Sequence, residues 1–217
     1  MKIAFDINDV LRNTFFKSEQ LYRKYYLSDE NDDSLSKSNY DDKTEEWVEV
    51  EEVKDKFKYE LDLPIKSLNL IDHFKFPSNQ DLFNFFYVDF AMEIFGNSPV
   101  TSNDSFKILN NFYKEYRDNH EILIISDEIE KSKPASLFFL AKNGCLVEKI
   151  KFFSTITRDT LWEECDIIIT ANPEIIKNAP DGFTILKYNT SYNKDIMCEH
   201  NISDITEIFD VIKKLIK

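Results

Sequence analysis

Three short runs made almost wholly of apolar residues constrain this chain more than any other feature. They are Ile3-Ala4-Phe5 closing on Asp6, Ile122 to Ile125 closing on Ser126, and Ile167 to Ile169 closing on Thr170. A strand with one face in water alternates apolar and polar residues. A run that is apolar throughout needs cover on both faces, the situation of a strand inside a parallel sheet flanked by helices. Residues at helical spacing supply that cover. Phe106, Leu109, Phe112 and Tyr116 predict a helix over 104–118, a second runs over 133–143 to a stop at Gly144, and an amphipathic helix closes 203–216. Further strands are expected over 146–153 and 183–188. Strands and helices in turn make an α/β domain.

The alternation is absent between the first run and residue 104. Phe15, Leu21, Tyr22 and Tyr25 predict a helix over 15–26, and 57–76 reads as irregular structure with short elements. Ser78 caps a helix over 78–95 that has Gln80 and Asp81 in its first turn and stops at Gly96. The expected organisation is a split core, 1–13 with 103–217, carrying a helical insertion over 14–102. Within it, 28–53 is rich in acids and reads as a solvated loop or an acidic docking arm. Trp47 in that stretch is either tucked onto the domain or held for a partner. Phe83, Phe85, Phe86, Tyr87 and Phe90 occupy most of the circumference of the 78–95 helix, so two sides need cover. One cover is expected to be another chain, a protein partner or a second copy, with the 50–76 segment as the intrachain alternative.

Charge and composition exclude several functions. Forty acidic against 27 basic side chains leave a formal net charge of -13 over 217 residues, which repels a nucleic-acid backbone. No apolar run reaches membrane-spanning length, and Asp6 interrupts the position where a signal peptide needs apolar residues, so the expectation is no membrane role and a cytoplasmic location, or a virion if the chain is phage-encoded. Three cysteines, Cys145, Cys165 and Cys198, are odd in number and widely spaced, as reduced thiols acting as small hydrophobes would be. Three glycines in all exclude glycine-rich phosphate loops. His73, His120 and His200 lack metal-ligand spacing and read as surface or capping residues. Abundant Asn, Lys, Ile, Phe and Asp suggest an AT-rich genome, such as that of some bacteria or their phages.

In an open α/β sheet the functional groups gather at the carboxyl ends of the strands. Those ends carry Asp6, Asn8 and Asp9, then Ser126 and Asp127, then Thr170 and Asn172. An apolar strand ending Asp-x-Asn-Asp-Val-Leu, a helical insertion, Ile-Leu-Ile-Ile-Ser, and Asp-Ile-Ile-Ile-Thr-Ala-Asn-Pro together resemble the haloacid dehalogenase (HAD) superfamily. The deoxyribonucleotidase-like branch, with its helical cap after the first motif, is the nearest in organisation. The resemblance implies a Rossmann-like parallel sheet and a magnesium-dependent phosphoryl site. Asp6 matches the nucleophile, Asn8 the general acid, Val10 and Leu11 the end of the first motif, and Ser126 the phosphate-binding hydroxyl. Arg158 matches the cation best, ahead of Lys149 and Lys151. Asp6 and Asn8 would share the metal with a fourth-motif acidic pair, whose positions are held by Thr170 and Ala171.

The departures remove specific chemistry. Asn8 has no proton to give a leaving oxygen and is a weaker ligand for a hard cation. Thr170 and Ala171 offer no carboxylate. Without magnesium, Asp6 would approach a phosphate dianion against roughly 4 kcal/mol per unit charge at ~4 Å and an effective dielectric of ~20. That is about a thousandfold in rate, and loss of the general acid removes another ~10²–10⁴. The expectation is a catalytically impaired HAD-like domain that binds, or builds a larger assembly such as a phage particle, with no cofactor. The alternative is a divergent magnesium-dependent phosphohydrolase, nucleotidase-like, with Asp127 or Asp9 replacing a missing ligand.

Overall fold

A computed structural model describes residues 1–27, 65, 70–154 and 156–216. The acidic segment at 28–53, including Trp47, lies outside the described residues.

The apolar runs are the centre of the molecule. β1 (Lys2–Asp6) pairs in parallel with β2 (Glu121–Ser126) and with β4 (Ile167–Thr170). β3 (Lys149–Phe152) lies outside β2, while β5 (Thr184–Tyr188) and β6 (His200–Ile202) extend the other side. The result is a six-stranded, wholly parallel sheet in the order β3-β2-β1-β4-β5-β6. Successive side chains of a strand point to opposite faces. Ile3, Phe5, Ile122, Ile124, Ile167 and Ile169 accordingly enter one core, and Ala4, Leu123, Ile125 and Ile168 enter another.

The first core is closed by α4 (Ser105–Tyr116), α5 (Ser132–Lys142) and α8 (Ile208–Leu215) through Phe106, Leu109, Phe112, Phe139, Ile208 and Ile212. The second is closed by α6 (Thr160–Glu164) and α7 (Pro173–Lys177) through Leu161, Ile175 and Ile176. Continuous apolar runs thus gain the two-sided cover they require. Asp204 and Glu207 form a reciprocal capping box just before α8, ahead of a short 3₁₀ turn at Ile205–Glu207.

Among the described residues, α1 (Thr14–Tyr22), α2 (Leu70–Phe74) and α3 (Asn79–Phe83) lie between β1 and α4. α2 is a short element of the kind expected within the otherwise irregular 57–76 stretch. Residues 11–13 and 99–101 run side by side where the chain leaves and re-enters the sheet: Asn13 N–H donates to the Pro99 carbonyl at 2.9 Å and Thr101 N–H to that of Leu11 at 3.0 Å.

The helix expected over 78–95 is not continuous. Ser78 does cap it, accepting from Asp81 N–H at 3.2 Å. After Phe83, however, the backbone widens into π turns at Asn84–Asp89 and Met92–Gly96, with a break at Phe90. A regular helix rotates about 100° per residue and cannot bury Phe85 and Phe86 against one surface together with Ile94 and Phe95. The widened turns do so, and all four are buried. Rings of the same chain cover Phe85: Tyr22, Tyr26, Phe74 and Phe76 lie at centroid distances of 6.3, 5.8, 5.8 and 5.2 Å. Each buried phenylalanine is worth ~1.5–3 kcal/mol, so these rings contribute strongly to the packing of the described helices that follow β1.

Candidate functional site

The strand order places the point where the chain reverses direction across the sheet between β1 and β4. Their carboxyl ends form the crevice in which such sheets bind ligands. Thr170 bridges it, its hydroxyl donating to Asp6 Oδ2 at 2.7 Å while accepting Asn172 N–H at 3.0 Å. Asn8 N–H donates to Asp6 Oδ1 at 3.2 Å, so both oxygens of the candidate nucleophile are engaged. Burial, then the neighbouring Asp127, raises the Asp6 carboxyl well above its ordinary value. Ala171, the other fourth-motif position, is buried in the core beneath.

Beyond β1 the chain turns tightly. Asp9 adopts a left-handed conformation at φ 56°, its N–H donates to the Arg12 carbonyl at 2.7 Å, and Val10 and Leu11 anchor the turn in the core. Aspartate tolerates this region better than most residues. Its side chain caps α1 by accepting from Thr14 N–H at 2.9 Å, and Tyr192 O–H donates to its other oxygen at 2.8 Å. Burial pushes the Asp9 carboxyl up to about 6 against these donors.

The Arg12 side chain organises everything above it. It is fully buried, and each of its five N–H groups has an acceptor. Nε reaches Thr14 Oγ1 at 3.1 Å, and Nη1 reaches the Phe95 carbonyl at 2.6 Å and Ser136 Oγ at 2.5 Å. Nη2 reaches Asn8 Oδ1 at 2.5 Å and ion-pairs with Glu128, itself 1% exposed. The rings of Phe95 and Phe139 lie 5.0 and 5.4 Å from the guanidinium.

This fixes Asn8. Its Oδ1 accepts from Arg12 and from the Thr14 hydroxyl at 2.8 Å, leaving Nδ2 to donate to Ser126 Oγ and Asp127 Oδ1, each at 3.1 Å. Flipping the amide would set N–H against a guanidinium that has no acceptor, so the orientation is forced. Ser126, fully buried, donates its hydroxyl to Glu128 Oε1 at 2.8 Å. Asp127 also receives Asn172 Nδ2 at 3.3 Å, and burial followed by the charge of Glu128 pushes its carboxyl up to about 6.

The three candidate cations part company. Lys149 pairs with Glu121 at 2.9 Å at the opposite end of β2, and Lys151 pairs with Glu164. Arg158 stands 3.7 Å from Glu174 with 16% of its side chain exposed, and its charge reaches Asp127. Asp6, Asn8, Ser126 and Asp127 therefore form one hydrogen-bonded group with Arg158 nearby. Among the described residues no three His, Cys, Asp or Glu side chains come together as a metal-holding group. His73 sits partly exposed in the last turn of α2, with Nε2 2.8 Å from Glu19 Oε1. Cys165 is buried, and its thiol is pushed up to about 12 by that burial, consistent with a packing role.

Above the crevice lies a cavity of about 200 Å³, with Asp9, Asp127 and Asn172 at its polar side and Phe86, Tyr87 and Tyr192 among its rings. A second, of about 300 Å³, shares Asp9 and Tyr192 and extends to Glu19 and Thr190. Sequence reasoning missed Arg12, Thr14, Glu128 and Tyr192. The available signal was an arginine directly after the apolar pair Val10-Leu11, where a solvated side chain has no reason to sit.

No protein-family model matches the chain, and no curated protein matches it. Among solved structures it is similar to YfnB from Bacillus subtilis, described as a "putative HAD-hydrolase" and crystallised bound to magnesium. The TM-score is 0.53 at 11% sequence identity, over 98% of each chain. At that identity the likeness is one of fold. The chain folds as a HAD-like α/β protein, a six-stranded parallel sheet between helices.

Proposed function

We propose that this HAD-like domain binds a ligand or partner and does not hydrolyse phosphate esters. The observation that carries the reading is the forced orientation of Asn8. At the position of the general acid, the side chain turns its only oxygen to Arg12 and Thr14 and presents an amide NH₂ to Asp127. N–H donors cannot ligate a cation, and an amide has no proton to donate to a leaving group near neutral pH. The hydroxyl of Ser126 is directed to Glu128. Thr170 occupies one oxygen of Asp6. This donor set does not fit octahedral magnesium, which requires several unengaged oxygens about 2.1 Å from the ion.

The magnesium-dependent phosphohydrolase is the second reading, favoured by Arg158 lying within electrostatic reach of Asp127 and by the magnesium bound to the similar fold. One experiment separates the two. A calorimetric magnesium titration, read beside phosphatase assays on a panel of nucleotides and sugar phosphates, should show neither saturable binding nor turnover. Magnesium-dependent release of phosphate, abolished by Asp6→Asn, would establish the second reading. A protein partner is part of the proposal, because Tyr25, Tyr26, Val88 and Met92 keep 38–52% of their surface exposed among the described residues.

A further inference from the structure

The cavity above the crevice has walls of a different character from a phosphate site. Asp9 and Asp127 line it, and none of its described lining residues is Lys, Arg or His. Arg12, the cation nearest in sequence, has every N–H engaged and does not reach the cavity wall. Glu128 is 1% exposed, and its Oε2 has no hydrogen-bond partner among the described residues. Its charge acts on both Asp127 and the Tyr87 phenol, two residues of the cavity wall. An anion entering here would meet two carboxylates and no cationic lining residue, since Arg12 and Arg158 act on Asp9 and Asp127 only from outside the lining. A cation would meet what they lack.

The remaining walls are aromatic. Tyr87 stacks on Phe95 at 5.6 Å, and Phe15 meets Tyr192 edge-on at 5.3 Å, all four rings lining the cavity. Carboxylates with surrounding rings favour a cation that carries its own apolar surface, since ring faces attract positive charge and do not require the ligand to shed a tight hydration shell. A bare metal ion gains little from such walls. A cavity of about 200 Å³ has room for a small amine.

We propose that this cavity binds a small organic cation, an alkylammonium or methylated ammonium group. The charge sits toward Asp127 and Asp9, and the carbon skeleton lies against Tyr87, Phe86 and Tyr192. The proposal rests on the binding reading above and names its ligand class.

The test is calorimetry on the full chain at fixed ionic strength, with tetramethylammonium and n-butylammonium as probes and sodium chloride, inorganic phosphate and magnesium chloride as comparators. Saturable binding of at least one organic cation is expected, weakened at least tenfold by Asp127→Asn and by Tyr87→Leu. Thermal melts check that each variant is folded, and if one is not, the other carries the test. No saturable binding of either ammonium, or binding that neither substitution weakens, overturns the cation site and leaves the non-hydrolytic reading standing. Magnesium-dependent phosphate release from the same preparation overturns both.

Discussion

Arg12 and Glu128 form an ion pair with both side chains out of water, joining the turn after β1 to the residues that follow β2. Breaking such a pair leaves one charge buried without a partner and costs about 3–5 kcal/mol. Glu128→Gln should therefore lower the unfolding free energy by ~3 kcal/mol in urea titrations. Replacing both residues by Met should cost less than the two single changes summed. A loss below ~1 kcal/mol for Glu128→Gln would mean that Arg12 is held by its other four acceptors.

Thr170 offers a cleaner test of the crevice. Thr170→Val keeps the shape and removes the hydroxyl that donates to Asp6 Oδ2, leaving a buried carboxylate oxygen unsatisfied. The expected loss is ~1–3 kcal/mol, measured by denaturant midpoint at pH 7. An unchanged midpoint would show that water replaces the hydroxyl there.

Restoring carboxylates should restore cation affinity. Asn8→Asp with Thr170→Asp returns two anionic ligands to the strand ends beside Asp6. Magnesium should then raise the melting temperature of the double variant and leave the original protein unmoved. If magnesium does not stabilise the double variant, these strand ends do not correspond to a metal site.

Glu19 gives a pH signature in the insertion. Burial pushes its carboxyl from the ordinary 4.5 up to about 7, with Arg23 opposing and Asp9 adding to the shift. An acid whose folded-state value is raised contributes stability in full below its unfolded value, and that contribution disappears as pH rises through the folded value. Stability relative to Glu19→Gln should accordingly fall between pH ~4.5 and ~7. His73, which faces Glu19 and is held below its ordinary value by burial, works in the opposite direction, so the comparison is made in a His73→Asn background. A difference curve that is flat with pH would place the Glu19 charge in solvent.

Much of the sheet was legible because apolar runs admit few environments. β1, β2, β4 and β5 all lie within one residue of their sequence-derived spans. α4 follows from four residues at helical spacing. β6 left no such trace: three residues at an edge, only Ile202 buried, look like any loop. The break at Phe90 was hidden for another reason. A helix that must bury adjacent rings deforms only once Tyr22, Phe74 and Phe76 are known to lie against it. At the site, Asp6, Ser126 and Thr170 were readable from strand ends. Arg12 was not, because its partner lies 116 residues further on and only the folded sheet brings them together.

The position of β1 also sets a condition on the order of events at the ribosome. The strand is made first, yet it is the middle of the sheet: Lys2 pairs with Glu121, and Ile3 pairs with both Ile122 and Ile167. At ~5–20 residues per second, roughly 6–24 s pass between synthesis of β1 and synthesis of its first neighbour. During that interval Ile3, Ala4 and Phe5 form a sticky segment with no edge to join, and the second neighbour arrives later still. Such long-range pairing slows folding and exposes the nascent chain to association with its copies. The rate of translation and the supply of chaperones should therefore affect the yield of this protein.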